Sequence, residues 1–438
     1  MAIGSAWRFG RKGASSKAGV ERPGGSLRTF DSLSDRSFRW FFASMLGWFA
    51  SMNMQQLARG VIVYDMTGSY AALGMISLAN AIPGLVLSLP GGLLADKLSC
   101  KLVVQLGQVA NVVVSAVIAA LMLSSLITYE YLVASAAFQG AINALMMPAR
   151  QSMIAEIISS ERLMNAVALN SAGTNVMRLA GPPVGGLLLT VMGPGWVYMA
   201  MAGLYAFGAL CLLPVRSRPE SIAERVAQRD ARGGDSRSLK SNLHDLAEGC
   251  RYMRRDRTIF LILGVSFMIV LLSQPYQMML PGFAKDVLGA SPGELGLLMA
   301  LTGVGALAGS LVIASMSARR RGVLLMSSAL IMGLTTLAFA LSTNIWLSGV
   351  IVLAIGIGQS LRMSLSSVLI QTYTEAQYRG RVMSVYMMEF SLVAFGTFFV
   401  GVLSNAIGVQ YALAATAGGL VVLSLGSILF IPRMRRLD

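Results

Sequence analysis

A short charged stretch at residues 90–101 has the sequence Pro-Gly-Gly-Leu-Leu-Ala-Asp-Lys-Leu-Ser-Cys-Lys and separates two long apolar runs. Gly92 allows two helix ends to approach closely, and Asp96 can contact a helix N-terminus or an arginine. Two cations, Lys97 and Lys101, follow the aspartate. This order of small, acidic and basic residues indicates a tight turn at the face of a membrane.

The composition excludes an ordinary soluble protein. Of the 438 residues, 55% are hydrophobic and only 13% are charged, and the mean hydropathy is +0.66. Soluble domains carry about 25% charged residues, so this chain has too few to cover a surface that faces water. We therefore expect an all-α membrane protein that crosses the bilayer many times.

Twelve apolar runs are long enough to cross a bilayer as helices, because roughly 20 helical residues span its hydrocarbon core. They fall into two groups of six, at 39–63, 71–95, 102–126, 131–149, 165–190 and 196–214, then 258–283, 293–316, 322–341, 346–370, 382–404 and 409–431. Ser291, Pro292 and Glu294 predict a capping box that begins the eighth span. Two six-helix bundles in parallel repeat are typical of transporters that rock around a central site.

The apolar runs divide the chain into five predicted regions. Two bundles are expected at 39–214 and 258–431, joined by a polar cytoplasmic linker at 215–257. The Ser-, Gly- and Arg-rich residues 1–38 predict a disordered basic cytoplasmic tail. Residues 432–438 form a second, short tail.

The basic residues indicate the orientation in the membrane. The tail up to Arg39 holds 8 of the 35 Lys and Arg residues, and the linker holds 11. Alternating spans put these segments on one side, and the positive-inside rule makes that side cytoplasmic, with both termini. The net charge of +15 therefore indicates topology and contact with anionic lipids, and not nucleic-acid binding. An amphipathic helix is expected within the linker at 239–253.

The turn quoted above resembles the signature loop of the major facilitator superfamily, where a glycine precedes Asp-Arg/Lys and further basic residues. The matching residues are Gly92, Asp96, Lys97 and Lys101. Ser99 and Cys100 depart from the pattern, which has glycine or an acid and then arginine there. The resemblance implies that the aspartate caps the eleventh helix and contacts Arg150, latching one conformation. Arg379 and Arg381, at the start of the eleventh span, are expected to belong to this latch.

A second motif lies in the fifth span and resembles the Gly-Pro-x-x-Gly-Gly signature of the superfamily's antiporters. Its residues here are Gly181, Pro182, Gly185 and Gly186. Glycines give a smooth face for close helix packing, and proline frees a backbone carbonyl and bends the span. Taken alone, the stretch is also compatible with a generic packing face.

The resemblance covers essentially the whole chain, and within the superfamily the chain is most similar to the siderophore and macrolide exporter branch. The resemblance implies a major facilitator fold and a transport function. The arginine that the superfamily carries in its fourth helix would fall at Ala136. That substitution argues against proton coupling by this route.

Polar side chains inside the predicted spans indicate a solute cavity. A charge at mid-bilayer costs about 2.5–3.5 kcal/mol on insertion scales, so such a residue normally faces a cavity or a partner. Polar faces with helical spacing occur on the first, fourth, seventh and tenth spans, and the candidate cavity residues are Met52, Gln55, Gln56, Arg59, Gln139, Asn143, Gln274, Gln277, Gln359 and Arg362. The alternative is that these side chains only join helices, at about 0.6 kcal/mol each.

Glu389 is the one carboxylate that the predicted spans place well inside the membrane. We expect it to carry protons, with Arg178 as its coupling partner. A pair of Glu389 with Arg178 or Arg362 that only holds helices together is the alternative. No cysteine or histidine spacing indicates a metal site, and no motif indicates a cofactor or ATP as the energy source.

The sequence and the resemblance predict a multi-pass transporter of a bacterial inner membrane. It is expected to export an amphipathic, drug-like or siderophore-like small molecule by alternating access and proton antiport, as a monomer. Two alternatives stay open. One is a facilitator or a lipid or metabolite transporter of the same fold without proton coupling, and the other is a receptor or scaffold that transports nothing. An enzyme is not expected, since no credible nucleophile, base or metal cluster is present.

Overall fold

A computed structural model describes residues 30–218, 248, 251–315, 320–431 and 435, and within these ranges the side chains at 88–97, 314 and 390 are not described. Every regular element in this part of the chain is a helix. This confirms the all-α prediction for the described residues. The predicted amphipathic helix at 239–253 and the tail before residue 30 fall mostly or wholly outside them.

Fourteen α-helices follow one another in the described residues. In chain order they are α1 (Arg36–Thr67), α2 (Tyr70–Lys97), α3 (Cys100–Leu123), α4 (Tyr129–Ile157), α5 (Ser160–Met192), α6 (Pro194–Leu212), α7 (Arg257–Ser273), α8 (Pro275–Asp286), α9 (Pro292–Ser315), α10 (Arg321–Leu341), α11 (Ile345–Tyr373), α12 (Arg379–Met387), α13 (Glu389–Ile407) and α14 (Val409–Phe430).

Ten segments of the described chain are long and apolar enough to cross a membrane. Two of them each combine two helices, α7 with α8 and α12 with α13. The helices α1 and α5 are the longest, with 32 and 33 residues, and each would extend about 48–50 Å at 1.5 Å per residue. Both carry several polar side chains along their length, such as Arg59 and Arg178, which lower their hydropathy.

Two of the predicted spans, those at 258–283 and 382–404, are each divided into two helices. The first break lies at Gln274, and Pro275 then begins α8. Proline at a first helical position is well tolerated, because its missing N–H would have no intrahelical partner there. The second break lies at Met388, where α12 ends and α13 begins at Glu389.

The ordered structure begins before the boundary predicted at residue 39. Asp31–Ser34 form a 3₁₀-helix that contacts α1 and α5. The backbone N–H of Ser32 donates to Asn165 Oδ1 (3.0 Å), and Arg162 forms an ion pair with Asp31 (3.2 Å). The side chain of Asp35 then caps α1 by accepting from the Phe38 N–H. These contacts hold residues 31–38 against the first bundle.

The helices form two halves, α1–α6 and α7–α14. Within the first half α1 packs on α5 and α6, and α2 and α3 pack on α4; within the second half α9 packs on α11 and α10 on α14. The halves meet where α5 contacts α9, α2 contacts α13 and α1 contacts α8. This pairing is symmetric. The second and fifth helices of the first half, α2 and α5, contact α13 and α9, which belong to the fifth and second spans of the second half.

The two halves share an apolar core at one end of the molecule. Its buried residues come from both halves and include Val63 and Leu73 from the first and Phe283 and Phe339 from the second. Two further apolar clusters each belong to one half. We call the end with the shared core, where α1 and α8 finish and α2 and α9 begin, the closed end. The opposite end carries Arg36, Lys101 and other basic side chains, and we call it the basic end.

Glycines allow backbone-to-backbone contact between the halves near the closed end. A Cβ added to Gly74 on α2 would lie 2.6 Å from the Cα of Phe398 on α13. A Cβ added to Gly296 on α9 would lie 2.6 Å from the carbonyl oxygen of Pro182 on α5. Larger residues do not fit at these separations, so glycine sets how closely the halves approach.

Candidate functional site

The polar faces of α1 and α4 become less accessible toward the closed end. Along α1, Met52 is half-buried and Gln56 exposed, whereas Arg59, about two turns beyond Met52, is only 8% exposed. Along α4, which runs the opposite way, Met147 is 36% exposed, Asn143 is half-buried and Gln139 is buried. Both helices therefore present an accessible polar face that ends at a buried polar side chain.

The corresponding helices of the second half follow the same trend. On α11, Met363 is 44% exposed, Gln359 is half-buried and Ile355 is fully buried. Gln274 and Gln277, at the break between α7 and α8, are half-buried. The Nε2 of Gln359 donates to Oε1 of Gln274 (3.5 Å). The candidate cavity residues therefore lie at similar depths in both halves, with accessibility increasing toward the basic end.

The deepest polar side chains of the first half contact one another. Arg59 Nη2 donates a hydrogen bond to Gln139 Oε1. The hydroxyl of Tyr205 on α6 donates to Gln55 Oε1 (3.4 Å). Gln55, Arg59 and Gln139 are thus buried between α1, α4 and α6 in this conformation, and are not exposed lining residues as the sequence analysis expected. Each of these side chains makes one such contact within the first half, and the Nε of Arg59 has no hydrogen-bond partner among the described residues.

The second half contains a buried ion pair. Arg362 on α11 and Glu389 on α13 are each 2% exposed, and Arg362 Nη1 lies 3.3 Å from both carboxylate oxygens of Glu389. Glu389 is the first residue of α13, where the helix dipole favours a negative charge. Ser266 and Ser366 share a hydrogen bond (2.9 Å) between α7 and α11 of the same half.

The ion pair corrects two assignments made from the sequence. Arg362 was expected to line the cavity, but it is the partner of Glu389, which the sequence analysis left as an alternative. Arg178, the expected coupling partner, lies exposed on α5 in the other half and is not among the contacts of Glu389. The physical reason is desolvation, because a buried carboxylate needs a buried cation close by.

The predicted latch residues at the basic end are engaged locally. Gly92, Asp96 and Lys97 lie at the end of α2, and their side chains are outside the described part of the chain. Lys101 Nζ donates to the carbonyl oxygens of Leu213 (2.7 Å) and Val215 (2.8 Å). It therefore ties α3 to the end of α6 within the first half.

The latch arginines also have identifiable partners. Arg150 is buried on α4, and its guanidinium carbon lies 3.8 Å from the ring centroid of Trp48 on α1. Arg379 Nε donates to the carbonyl oxygen of Thr374 (3.2 Å), and Arg381 forms an ion pair with Glu248 (2.8 Å). In this conformation Arg150 contacts α1 of its own half, and Arg381 contacts Glu248 of the segment between the halves. The latch itself stays a prediction.

The Gly-Pro-x-x-Gly-Gly motif on α5 has two packing faces. Added Cβ atoms at Gly181 and Gly185 would lie 2.7 Å from the Asn53 Cβ and 3.2 Å from the Met54 Cα on α1. Gly186 instead faces the backbone of Pro292 on α9, and Pro182 faces Gly296 on the same helix. The motif therefore allows α5 to pack closely on a helix of its own half and on a helix of the other half. α5 continues as one helix through Pro182 and Pro183.

A polar cluster that was not predicted from the sequence joins the halves at the closed end. The hydroxyls of Tyr64 and Tyr70 both donate to Asp286 Oδ2 at the end of α8, the second at 2.9 Å. Lys285 forms an ion pair with Asp65, and the Tyr70 N–H donates to Asn405 Oδ1 (2.9 Å). We call Tyr64, Tyr70 and Asp286 the closed-end cluster. A signal was present, since Tyr-Asp and Lys-Asp pairs occupy the ends of the corresponding first and seventh spans.

Comparisons with known proteins agree with this architecture. A family model described as "Transmembrane secretion effector" matches residues 27–438. The chain belongs to this family of major facilitator transporters. Membership confirms the resemblance inferred from the turn at 90–101 and the α5 motif, and it identifies the chain as a multi-pass membrane transporter.

Among the described residues, no group of three or more His, Cys, Asp or Glu side chains is positioned to hold a metal ion.

Individual relatives lie in the siderophore and drug exporter branch. The chain is 22% identical to the staphyloferrin A transporter of Staphylococcus aureus, over 85% of this chain and 90% of the relative. It is 22% identical to the multidrug efflux pump Tap of Mycolicibacterium fortuitum, over 86% and 91%. A bacterial homologue of the human lysosomal transporter Spinster, solved in an inward-facing and unoccupied conformation, has a TM-score of 0.69 at 15% identity, over 91% of this chain and 97% of that structure. The Spinster homologue therefore has the same fold.

Proposed function

We propose that the protein exports an amphipathic small molecule by alternating access. One observation carries the proposal: among the described residues the halves share an apolar core at the closed end, while the polar faces of α1, α4 and α11 become accessible toward the basic end. A chamber between the halves that opens at one end is what alternating access requires of each of its two end states. The relatives named above, a siderophore transporter and a drug efflux pump, support a substrate of similar chemistry.

The proposed topology has twelve membrane spans with both termini in the cytoplasm. α1 and α5 serve as the first and fifth spans, and the pairs α7–α8 and α12–α13 form the seventh and eleventh. The basic end then lies on the cytoplasmic side of a bacterial inner membrane, as the positive-inside rule requires. In this orientation the chamber opens to the cytoplasm, from which an exporter loads its substrate. The basic side chains there contact anionic lipids.

Proton antiport is assigned to the Arg362–Glu389 pair. Protonation of Glu389 removes its charge and leaves Arg362 buried without a counter-ion, which favours a different packing of α11 against α13. The burial of the pair supports this role, because a change of protonation there alters the balance between two conformations. One proton moving through 100 mV releases ~2.3 kcal/mol, which sustains a solute gradient of about fifty-fold.

The test is transport into inverted membrane vesicles, whose exterior corresponds to the cytoplasm. Within a panel of fluorescent drug-like probes of different charge, at least one should accumulate when the vesicle lumen is made acidic. Glu389→Gln should abolish the dependence on the pH gradient, whereas Glu161→Gln, an exposed carboxylate at the start of α5, should retain it. Gradient-driven accumulation by Glu389→Gln equal to the wild type would reject antiport through Glu389. Dye movement that only equilibrates would instead identify a facilitator.

A further inference from the structure

Arg59 is a buried cation without a counter-ion among the described residues. Its Nη2 contacts the neutral amide of Gln139, and its Nε has no hydrogen-bond partner in the described part of the chain. Two other carboxylates of the described chain, Glu389 and Asp286, have partners elsewhere. Glu389 pairs with Arg362, and Asp286 accepts from two tyrosines. A buried guanidinium that is only partly hydrogen-bonded is costly unless a negative charge reaches it.

The other buried arginines differ from Arg59 in what surrounds them. Arg362 has a carboxylate partner at 3.3 Å. Arg150 lies against the face of Trp48, with its guanidinium carbon 3.8 Å from the ring centroid, and an aromatic face stabilises a cation. Within the described residues Arg59 has neither a carboxylate nor an aromatic face against it. Among the buried arginines of the described chain, Arg59 is therefore the one whose positive charge is left uncompensated.

The position of Arg59 makes its charge available to a solute. It lies at the deep end of the accessible α1 face that carries Met52 and Gln56. The adjacent Gly60 approaches Pro281 of the second half, because a Cβ added there would lie 2.7 Å from the proline ring. Arg59 is thus where the two halves converge at the end of the polar faces. If the halves closed around a solute, the part of the solute that lies deepest between them would be enclosed beside this guanidinium.

We propose that Arg59, with Gln139 beside it, binds the acidic group of the transported molecule, and that the substrate class is an amphipathic organic anion. The inference rests on the proposed transport function and narrows it. A guanidinium binds a carboxylate through two parallel charge-assisted hydrogen bonds. The accessible Met52, Met147 and Met363 offer flexible apolar surface for the rest of such a molecule. A membrane potential that is negative inside also favours export of an anion.

The first test uses a matched pair of fluorescent probes, N-dansyl-leucine, which carries a carboxylate, and its neutral amide, dansyl-leucinamide. Proteoliposomes with an imposed membrane potential and pH gradient should take up the carboxylate at least tenfold faster than the amide. Arg59→Gln should lose this preference, and Arg59→Lys should keep part of it, because lysine retains the charge without the planar fork. Equal uptake of both probes by the wild type, or an unchanged preference in Arg59→Gln, would overturn the inference.

Transport of rhodamine 6G, a cationic dye, distinguishes a failure of this inference from a failure of the proposed function. Transport of the dye or of the amide without preference for the carboxylate would leave an exporter with a different substrate class. No movement of any probe under either gradient would count against both proposals.

The second test is thermal stability, which does not depend on a substrate. If Arg59 only joins α1 to α4 through Gln139, Arg59→Gln should lower the melting temperature. If it is an uncompensated charge kept for a ligand, the variant should melt at the same or a higher temperature than the wild type. Arg362→Gln is the matched control, since it leaves Glu389 unpaired and should melt at a lower temperature. A fall in Arg59→Gln as large as that of the control would overturn the inference.

Discussion

At the scale of single residues, the buried charges of the two halves are arranged differently. In the second half Arg362 and Glu389 neutralise each other, whereas in the first half Arg59 and Arg150 are buried without a described carboxylate. Burying a charge is tolerated where its partner is close or where function requires it. The two halves therefore differ in their buried charges. The Arg362–Glu389 pair is suited to holding or exchanging a proton, and Arg59 is suited to binding a solute.

The Arg362–Glu389 pair gives a prediction about stability. Removing one member leaves an unpaired buried charge, so Glu389→Gln and Arg362→Gln should each lower the free energy of unfolding by about 3–5 kcal/mol. The double variant should recover most of that loss, because it removes both charges. Thermal unfolding of the purified protein in detergent measures the three variants. Losses that simply add in the double variant would mean that the two side chains are not coupled.

The closed-end cluster illustrates what a sequence leaves undetermined at this scale. Tyr64, Asp65 and Asp286 are visible near predicted span ends, but their partners lie more than 200 residues away in the chain. Similarly, the sequence identifies Glu389 as an interior carboxylate and offers Arg178 or Arg362 as its partner. Only the tertiary structure, which brings Arg362 of α11 to Glu389 of α13, decides between them. Pairing across space depends on tertiary contacts that local patterns do not encode.

At the scale of helices, much of the structure was predictable. The capping box at Ser291 is confirmed, since Glu294 Oε2 accepts from the Ser291 N–H and hydroxyl, both at 2.8 Å. The break before α8 has a sequence signal in Pro275. The break at Met388 has none, because Met-Met-Glu contains neither proline nor glycine. That break is accounted for by tertiary structure, which turns Glu389 toward Arg362 at the start of a new helix.

Close packing of α2 on α13 gives a prediction at the same scale. Gly74→Ala would put a methyl group 2.6 Å from the Phe398 Cα, so the closed end would have to separate. We expect this variant to lose transport and to melt at a lower temperature. Gly203→Ala on α6 is the control, because nothing lies within 4 Å of its added Cβ. The control should gain up to about 1 kcal/mol in unfolding free energy, since alanine favours helix over glycine. Equal behaviour of the two variants would contradict the packing argument.

At the scale of the whole molecule, alternating access requires that the chamber between the two halves closes at one end when it opens at the other. The closed-end cluster holds the present state, since Asp286 accepts two hydrogen bonds from the other half. Hydrogen bonds to a charged group contribute about 1.5–3 kcal/mol each, enough to shift a two-state balance by tenfold or more. The neighbouring Asp65–Lys285 pair is exposed, and exposed ion pairs contribute about 0–1 kcal/mol. Asp286→Asn should therefore shift the balance far more than Asp65→Asn.

The most direct measurement is of distances between spin labels by double electron–electron resonance, in protein whose three cysteines are replaced by alanine. One pair of labels, at Glu130 and Ile407, spans the closed end, and another, at Ser160 and Ala376, spans the basic end; all four residues are exposed. Alternating access predicts that Asp286→Asn lengthens the distance across the closed end and shortens the distance across the basic end in the same sample. Two distances that stay fixed, or that lengthen together, would contradict a chamber whose opening changes sides.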